Sequence, residues 1–279
     1  MHEATRSTSK PQDLDNTDWL KTIAIVAVSV GHIGYFFLED DQWWSVFGRL
    51  AAPTLFFFMG YAHARTIPLH WIWLGFILTL LESWNAGWTW VAANILFSFA
   101  LIRIARPHAQ VLLQHYGWAA FALLVSALFA ILPIASPIVD YGAEGWLWAL
   151  FGLQHRMYVD RRPTPDAYGT ALSSAPPAHA LPKNVGLMRL LACVIAAVVY
   201  VWQEQKEFEF SQIQLAAVIL GVGFLSTCLC LFRRGPSRVQ PPEAIAGALR
   251  FISRHTLAIY AIQLAASELV NKLLPDLVP

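Results

Sequence analysis

Long runs of apolar residues, broken at intervals by short polar stretches, set the plan of this chain. A helix crossing the hydrocarbon core of a bilayer needs about 20 mostly apolar residues. Nine stretches approach that: 19–38, 46–64, 69–83, 90–104, 118–134, 142–158, 185–202, 213–232 and 249–269. The third, fourth and sixth are short, which local thinning of the bilayer or shielding inside a bundle accommodates. The pattern predicts an all-α, polytopic integral membrane helical bundle of about nine transmembrane helices.

Two polar stretches stand apart from the spans. Residues 1–16 are polar and are expected to form a disordered tail. Residues 159–184 are rich in Pro, Ala and Ser, a composition that buries too little apolar surface to offset its ordering entropy. They are expected to be a flexible linker between a first membrane part (17–158, six spans) and a second (185–272, three spans). The apolar run after Asp18 is too long for the core of a secretory signal and no small-residue cleavage site closes it, so it is expected to stay as the first span.

The loops orient the bundle. With the N-terminus inside, cytoplasmic segments hold sixteen of the nineteen Lys and Arg residues, leaving Arg49, Lys206 and Lys272 outside. The positive-inside rule therefore predicts an N-in, C-out arrangement, with the tail and the linker cytoplasmic. Acidic clusters (Glu39, Asp40 and Asp41; Glu204, Glu207 and Glu209) fall in outer segments. All twelve Trp lie at or near expected span ends, where indoles prefer the headgroup region.

Composition sharpens this reading. Apolar residues make up 57% of the 279, charged residues only 13%, and the mean hydropathy is +0.49. So few charges do not cover a soluble surface. A net charge of +1, with no basic face for phosphates, argues against nucleic acid as a partner. Cys193, Cys228 and Cys230 sit inside apolar runs without metal or disulfide spacing, and read as small buried hydrophobes. No metal cluster, phosphate loop or GxSxG elbow occurs. The absence of an internal repeat weakens a transporter built on inverted repeats.

Ionisable groups at membrane depth are costly and mark function by default. The first span carries Lys21 and His32, eleven residues apart. That offset is close to whole helical turns, so both lie on one face about 16 Å apart along the axis, with Ser29 and Phe36 continuing the face. A His exchanges a proton near neutral pH, as a general base must. Taken alone, Lys21 reads better as a snorkelling anchor, and His32 fits an interhelical hydrogen bond as well as catalysis.

Four stretches carry a family resemblance. Asp18-Trp19-Leu20-Lys21-x-Ile23-Ala24-Ile25, followed by His32-Ile33-Gly34, resembles the opening of the TraX family, named for the F-pilin acetyltransferase and part of the wider acyltransferase-3 group of membrane enzymes. That group shares a basic residue, ten intervening residues and a His in its first helix, the spacing of Lys21 and His32. Gly48-Arg49-Leu50-Ala51-x-Pro53, with Gly60-Tyr61 and Arg65, resembles the family's second helix. Asp140-Tyr141-Gly142 with Gly145 resembles its acidic-Tyr-Gly segment. Ser253-Arg254-His255-Thr256-Leu257-x-Ile259-Tyr260-x-Ile262 resembles its closing helix. The matches run in family order from Asp18 to about Leu264. Two positions depart: Gly31 stands where TraX-like sequences usually have Asp before the His, and Gln263 where they tend to have a second His. The first removes a carboxylate that could orient the imidazole.

The resemblance implies an acyltransferase of the bacterial inner membrane. It would move an acyl group, acetyl from acetyl-CoA, onto an extracytoplasmic amine or hydroxyl of a protein N-terminus, a glycan or a lipid. His32 would be the catalytic base. Lys21, Arg65, Arg103 and Arg106 would meet the CoA phosphates. Arg49, Tyr141 or Tyr260 would donate to the developing oxyanion, with Asp140 and Gln263 as further acceptor-side candidates. Each has a plainer reading. Arg49 would serve as a headgroup anchor, Arg103 and Arg106 as topology signals, and Tyr141 and Tyr260 as interfacial aromatics. Glu82 and Asn94 read better as bridges between helices. Two other functions remain open on these residues: a transporter or flippase of a glycan or peptide intermediate, and a non-catalytic assembly subunit.

Overall fold

A computed structural model describes residues 13–38, 41–62, 66–160 and 184–273. Those residues form eleven helices: α1 (Asn16–Phe37), α2 (Trp43–Gly48), α3 (Ala51–Tyr61), α4 (Leu69–Asn85), α5 (Ile95–Tyr116), α6 (Trp118–Ala135), α7 (Gly142–Asp160), α8 (Val185–Phe208), α9 (Gln212–Leu231), α10 (Glu243–Arg254) and α11 (Thr256–Leu273). Among them α1, α5, α6, α8 and α9 are long and apolar enough to cross a membrane. Each of the nine expected stretches holds a helix among the described residues, the fourth only from Ile95, and two are broken. The second divides at Arg49–Leu50 into α2 and α3, and the ninth divides at His255 into α10 and α11.

Two short helices make the centre. On α3 every residue but Met59 is buried, and α7 buries residues on all sides. Glycines let their backbones meet: a Cβ on Gly60 would lie 1.8 Å from the Ala149 carbonyl oxygen, and one on Gly152 2.1 Å from that of Phe57. Close backbone approach of this kind is how helices associate where lipid offers no hydrophobic drive. A helix shielded by others need not match the bilayer thickness, which accounts for a core helix of 11 residues. The rim is the reverse. On α9, Ile213, Leu220, Phe224 and Leu231 are each more than 70% exposed, the surface a bilayer covers.

The division at His255 separates two kinds of helix. One stripe of α10 carries Glu243, Arg250 and Arg254, another exposes Ile245 and Phe251, and Ala246 and Ser253 are buried. That three-way pattern belongs to a helix lying along an interface rather than crossing it.

The chain is ordered earlier than expected. Leu14 is fully buried, Asp15 caps α1 by accepting from the Thr17 amide at 3.0 Å, and the Asp15 amide donates to the Asp18 carboxylate. This capping box is tied to the α9–α10 connection: Gly235 N–H donates to the Asp15 carboxylate, and Ser237 N–H to the Leu14 carbonyl at 2.7 Å. Residues 1–12 and 161–183, most of the expected tail and linker, lie outside the described residues; Val159 and Asp160 continue α7. Two further expectations are corrected. Trp148 and Trp71 are buried in the protein rather than placed at an interface, Trp148 between Phe151 and Tyr200. Glu204 is no outer-loop acid. It is a buried residue of α8, because α8 continues two turns beyond its apolar run.

Candidate functional site

The C-terminal half of α1, α2 and the start of α3, the end of α4, the 91–95 and 140–141 segments, the end of α8 and one side of α11 line a cavity of about 520 Å³. His32, Arg49, Asp140, Tyr141 and Tyr260 all line it, together with Glu82, Asn85, Glu207 and Glu268. Residues more than 200 positions apart in sequence thus share one polar space.

His32 comes from α1 and stands with its ring 5.6 Å from Tyr260 and 6.3 Å, edge-on, from Phe36. It makes no hydrogen bond among the described residues. Its Nδ1 is buried without a partner, so Nε2 is the nitrogen left to the cavity. Gly31 beside it explains the family departure. Helices α1 and α2 meet at Gly31 and Gly48, where a Cβ on Gly31 would sit 2.9 Å from the Gly48 Cα. No carboxylate fits at that position.

Arg49 lies in the break between α2 and α3 and turns inward, contrary to the headgroup-anchor reading. Its Nη1 donates to the Tyr141 hydroxyl at 2.7 Å, its Nε is 3.4 Å from Glu204 Oε2, and its Nη2 is 3.8 Å from Glu207. The guanidinium stacks 4.1 Å over Phe208, and the Tyr200 hydroxyl donates to the Arg49 carbonyl. A cation largely withdrawn from solvent needs such compensation. Tyr200, which holds the Arg49 carbonyl, and Glu204 and Glu207, which face the guanidinium, were missed in the sequence. They lie at i, i+4 and i+7, one face of α8, and that spacing was the available signal.

Tyr141 holds a left-handed backbone with φ of 51°, a conformation a bulky residue keeps only when its surroundings fix it. They do: Asp140 N–H donates to the Ala93 carbonyl at 2.9 Å, Ala93 N–H to the Ile138 carbonyl at 2.8 Å, and Ser98 Oγ to the Asp140 carbonyl at 2.9 Å. The ring is stacked on Tyr200. On the other wall, Asn94 caps α5 by accepting from the Leu96 amide, and its Nδ2 reaches the Tyr260 hydroxyl at 3.3 Å and Glu82 at 3.4 Å. Asn94 and Glu82 do bridge helices, and Glu82 also faces the cavity. Asn85 bonds Glu268, closing α4 on α11. Gln263 is outside the cavity lining. It accepts from Ser29 Oγ at 2.6 Å on the α1–α11 seam, its Nε2 buried without a partner.

The cations assigned to the donor lie elsewhere. Lys21 Nζ sits 5.9 Å over the Phe58 ring. Arg103 donates to the Thr66 carbonyl at 2.6 Å and stacks on Trp71, and buried Arg106 donates to the Gly60 carbonyl at 2.7 Å. These two hold α5 against the end of α3 and the segment after it. Arg65 lies outside the described residues. Among the described residues no group of three or more His, Cys, Asp or Glu is placed to hold a metal ion.

An all-helical chain of membrane-spanning character, with a polar cavity carrying an unpartnered imidazole, is the class these features define. Over 120 residues it is 32% identical to Protein TraX of Escherichia coli, an alignment covering 40% of this chain and 46% of that protein. It is 31% identical to Protein TraX of Escherichia coli strain K12 over the same length. These matches support a TraX-family relationship. The chain spans about half the length of the curated relatives it matches. No family model and no solved structure matches it.

Proposed function

We propose that this protein is a membrane acyltransferase of the acyltransferase-3 kind, with nine spans arranged N-in, C-out in a bacterial inner membrane. It takes an acetyl group from cytoplasmic acetyl-CoA and gives it to an amine or hydroxyl on the far side. One observation carries the reading: His32, Arg49, Tyr141 and Tyr260, drawn from four separate sequence segments, meet around one cavity.

Each residue has a chemical task. The acceptor's N–H or O–H gives its proton to His32 Nε2 as the nucleophile bonds to the thioester carbonyl carbon. Arg49 donates to the Tyr141 oxygen, so the Tyr141 proton is free to meet the developing oxyanion. Collapse breaks the C–S bond, and the imidazolium returns its proton to the departing thiolate. Asn94 donates to the Tyr260 oxygen in the same way, freeing that hydroxyl to orient the acceptor. On the donor side Lys21 is the residue we assign to the CoA phosphates, because among the described residues it makes no hydrogen bond or ion pair. Arg103 and Arg106 are engaged with backbone carbonyls.

Membranes from cells making the protein, supplied with labelled acetyl-CoA, should transfer label to an extracytoplasmic acceptor, and purified protein should bind acetyl-CoA. Reporter fusions after Pro236 should read cytoplasmic and fusions after Lys206 extracytoplasmic. Absence of both binding and transfer in folded protein would remove the enzyme reading.

A further inference from the structure

Helices α6 and α8 both pack on α7 and leave a groove between them, about 760 Å³ in volume. Its walls are apolar: Phe129 and Pro133 from α6, Val198, Val199 and Trp202 from α8. Val199 forms the buried floor, 4% exposed, while Phe129, Val198 and Trp202 are about half exposed at the edges. Pro133 lies inside α6 and has no N–H to return to the Phe129 carbonyl, so the helix is weakened on the groove side. Gln203 Nε2 reaches Ser136 Oγ at 3.3 Å and ties the two helices together at one end. Just beyond that tie stands Lys206, the one charged residue of the lining, its ammonium 6.0 Å over the Trp202 ring.

The charges of α8 are sorted by face. Glu204 and Glu207 turn away to Arg49, whereas Lys206 faces the groove mouth and makes no ion pair among the described residues. An apolar trough on a surface a bilayer covers, with an ammonium and an indole at its mouth, matches one class of molecule. We propose that the groove holds an acyl chain of an anionic membrane phospholipid, with the headgroup phosphate on Lys206. The long Lys stem lies along the indole and presents the ammonium at headgroup level. This site is separate from the cavity and does not depend on the acyltransferase reading.

The probe is phosphatidylglycerol, compared with phosphatidylcholine, in native mass spectrometry of the protein released from mixed-lipid nanodiscs. The wild type should keep one phosphatidylglycerol in preference to phosphatidylcholine. Lys206→Glu should lower that retention about tenfold, as loss of a charge-assisted phosphate contact predicts, and Lys206→Gln should fall between. Val198→Trp, which fills the groove from its exposed edge, should lose the lipid while leaving Lys206 in place. Equal retention of the two lipids by the wild type, or unchanged retention in Lys206→Glu, would overturn the proposal. Retention by Val198→Trp with loss in Lys206→Glu would overturn the groove and leave a headgroup contact alone.

Discussion

His32 and His155 are both held within the bundle, and their surroundings could hardly differ more. His155 on α7 is 1% exposed. Its Nε2 is 2.8 Å from the Phe232 carbonyl and its Nδ1 3.4 Å from Arg189, while Phe57, Tyr61 and Phe151 pack around the ring. Both nitrogens are occupied. His32 has one nitrogen buried without a partner and the other toward a polar cavity. A ring whose nitrogens are both engaged holds helices together. A ring with a free nitrogen beside a cavity is placed to exchange a proton. The same division separates the ends of α1: the polar groups near His32 face a cavity, and Arg103 and Arg106, read beside Lys21 as donor contacts, are engaged with backbone carbonyls.

The largest effect expected from breaking this contrast is on folding. Gly31→Asp would supply the carboxylate that TraX-like sequences usually carry, but it drives a side chain into the Gly48 backbone. Overpacking and a buried charge together should cost at least about 3 kcal/mol, read as a sharp fall in thermal stability; an unchanged melting temperature would show that α1 and α2 do not meet as described. Next is Tyr141→Phe, which keeps the stacking on Tyr200 and deletes the hydroxyl. Loss of an oxyanion donor predicts a fall of about 10²–10³-fold in turnover, with stability lowered by about 1–3 kcal/mol because Arg49 Nη1 loses its acceptor. Arg103→Ala should act in the opposite sense, lowering stability by about 1 kcal/mol through the lost bond to Thr66 and leaving acetyl-CoA affinity unchanged; a large loss of affinity would return Arg103 to the donor site. The smallest effect is Gln263→His. The position faces the α1–α11 seam, so the change should be tolerated or raise turnover, and abolished activity in folded protein would break the assignment of α11.

Much of this was legible in the residues. Apolar runs report where helices form because partition depends on composition along the chain, and each expected stretch holds a helix among the described residues. The short motifs around His32, Arg49, Tyr141 and Tyr260 named residues that line the cavity, whereas Lys21, on the same face of α1, lies away from it over Phe58. What stayed hidden depends on neighbours. The break at Arg49 leaves no mark in hydropathy, since α2 and α3 are both apolar. Glu204 sits in a charged run that reads as solvated until α8 is seen to reach Phe208, and Trp148 reads as interfacial until Tyr200 and Phe151 cover it. Gly31 appeared as a missing Asp, and only the facing Gly48 shows why it is small.

The central claim is that His32 acts in transfer and His155 in structure. The most direct measurement takes both variants, His32→Ala and His155→Ala, and reads labelled acetyl transfer per folded molecule alongside melting temperature. General-base catalysis contributes about 10²–10⁴-fold, so His32→Ala should lose that much rate at a near wild-type melting temperature. His155→Ala should melt lower and keep a normal rate per folded molecule. A His32→Ala protein that transfers acetyl at the wild-type rate per folded molecule would contradict the account.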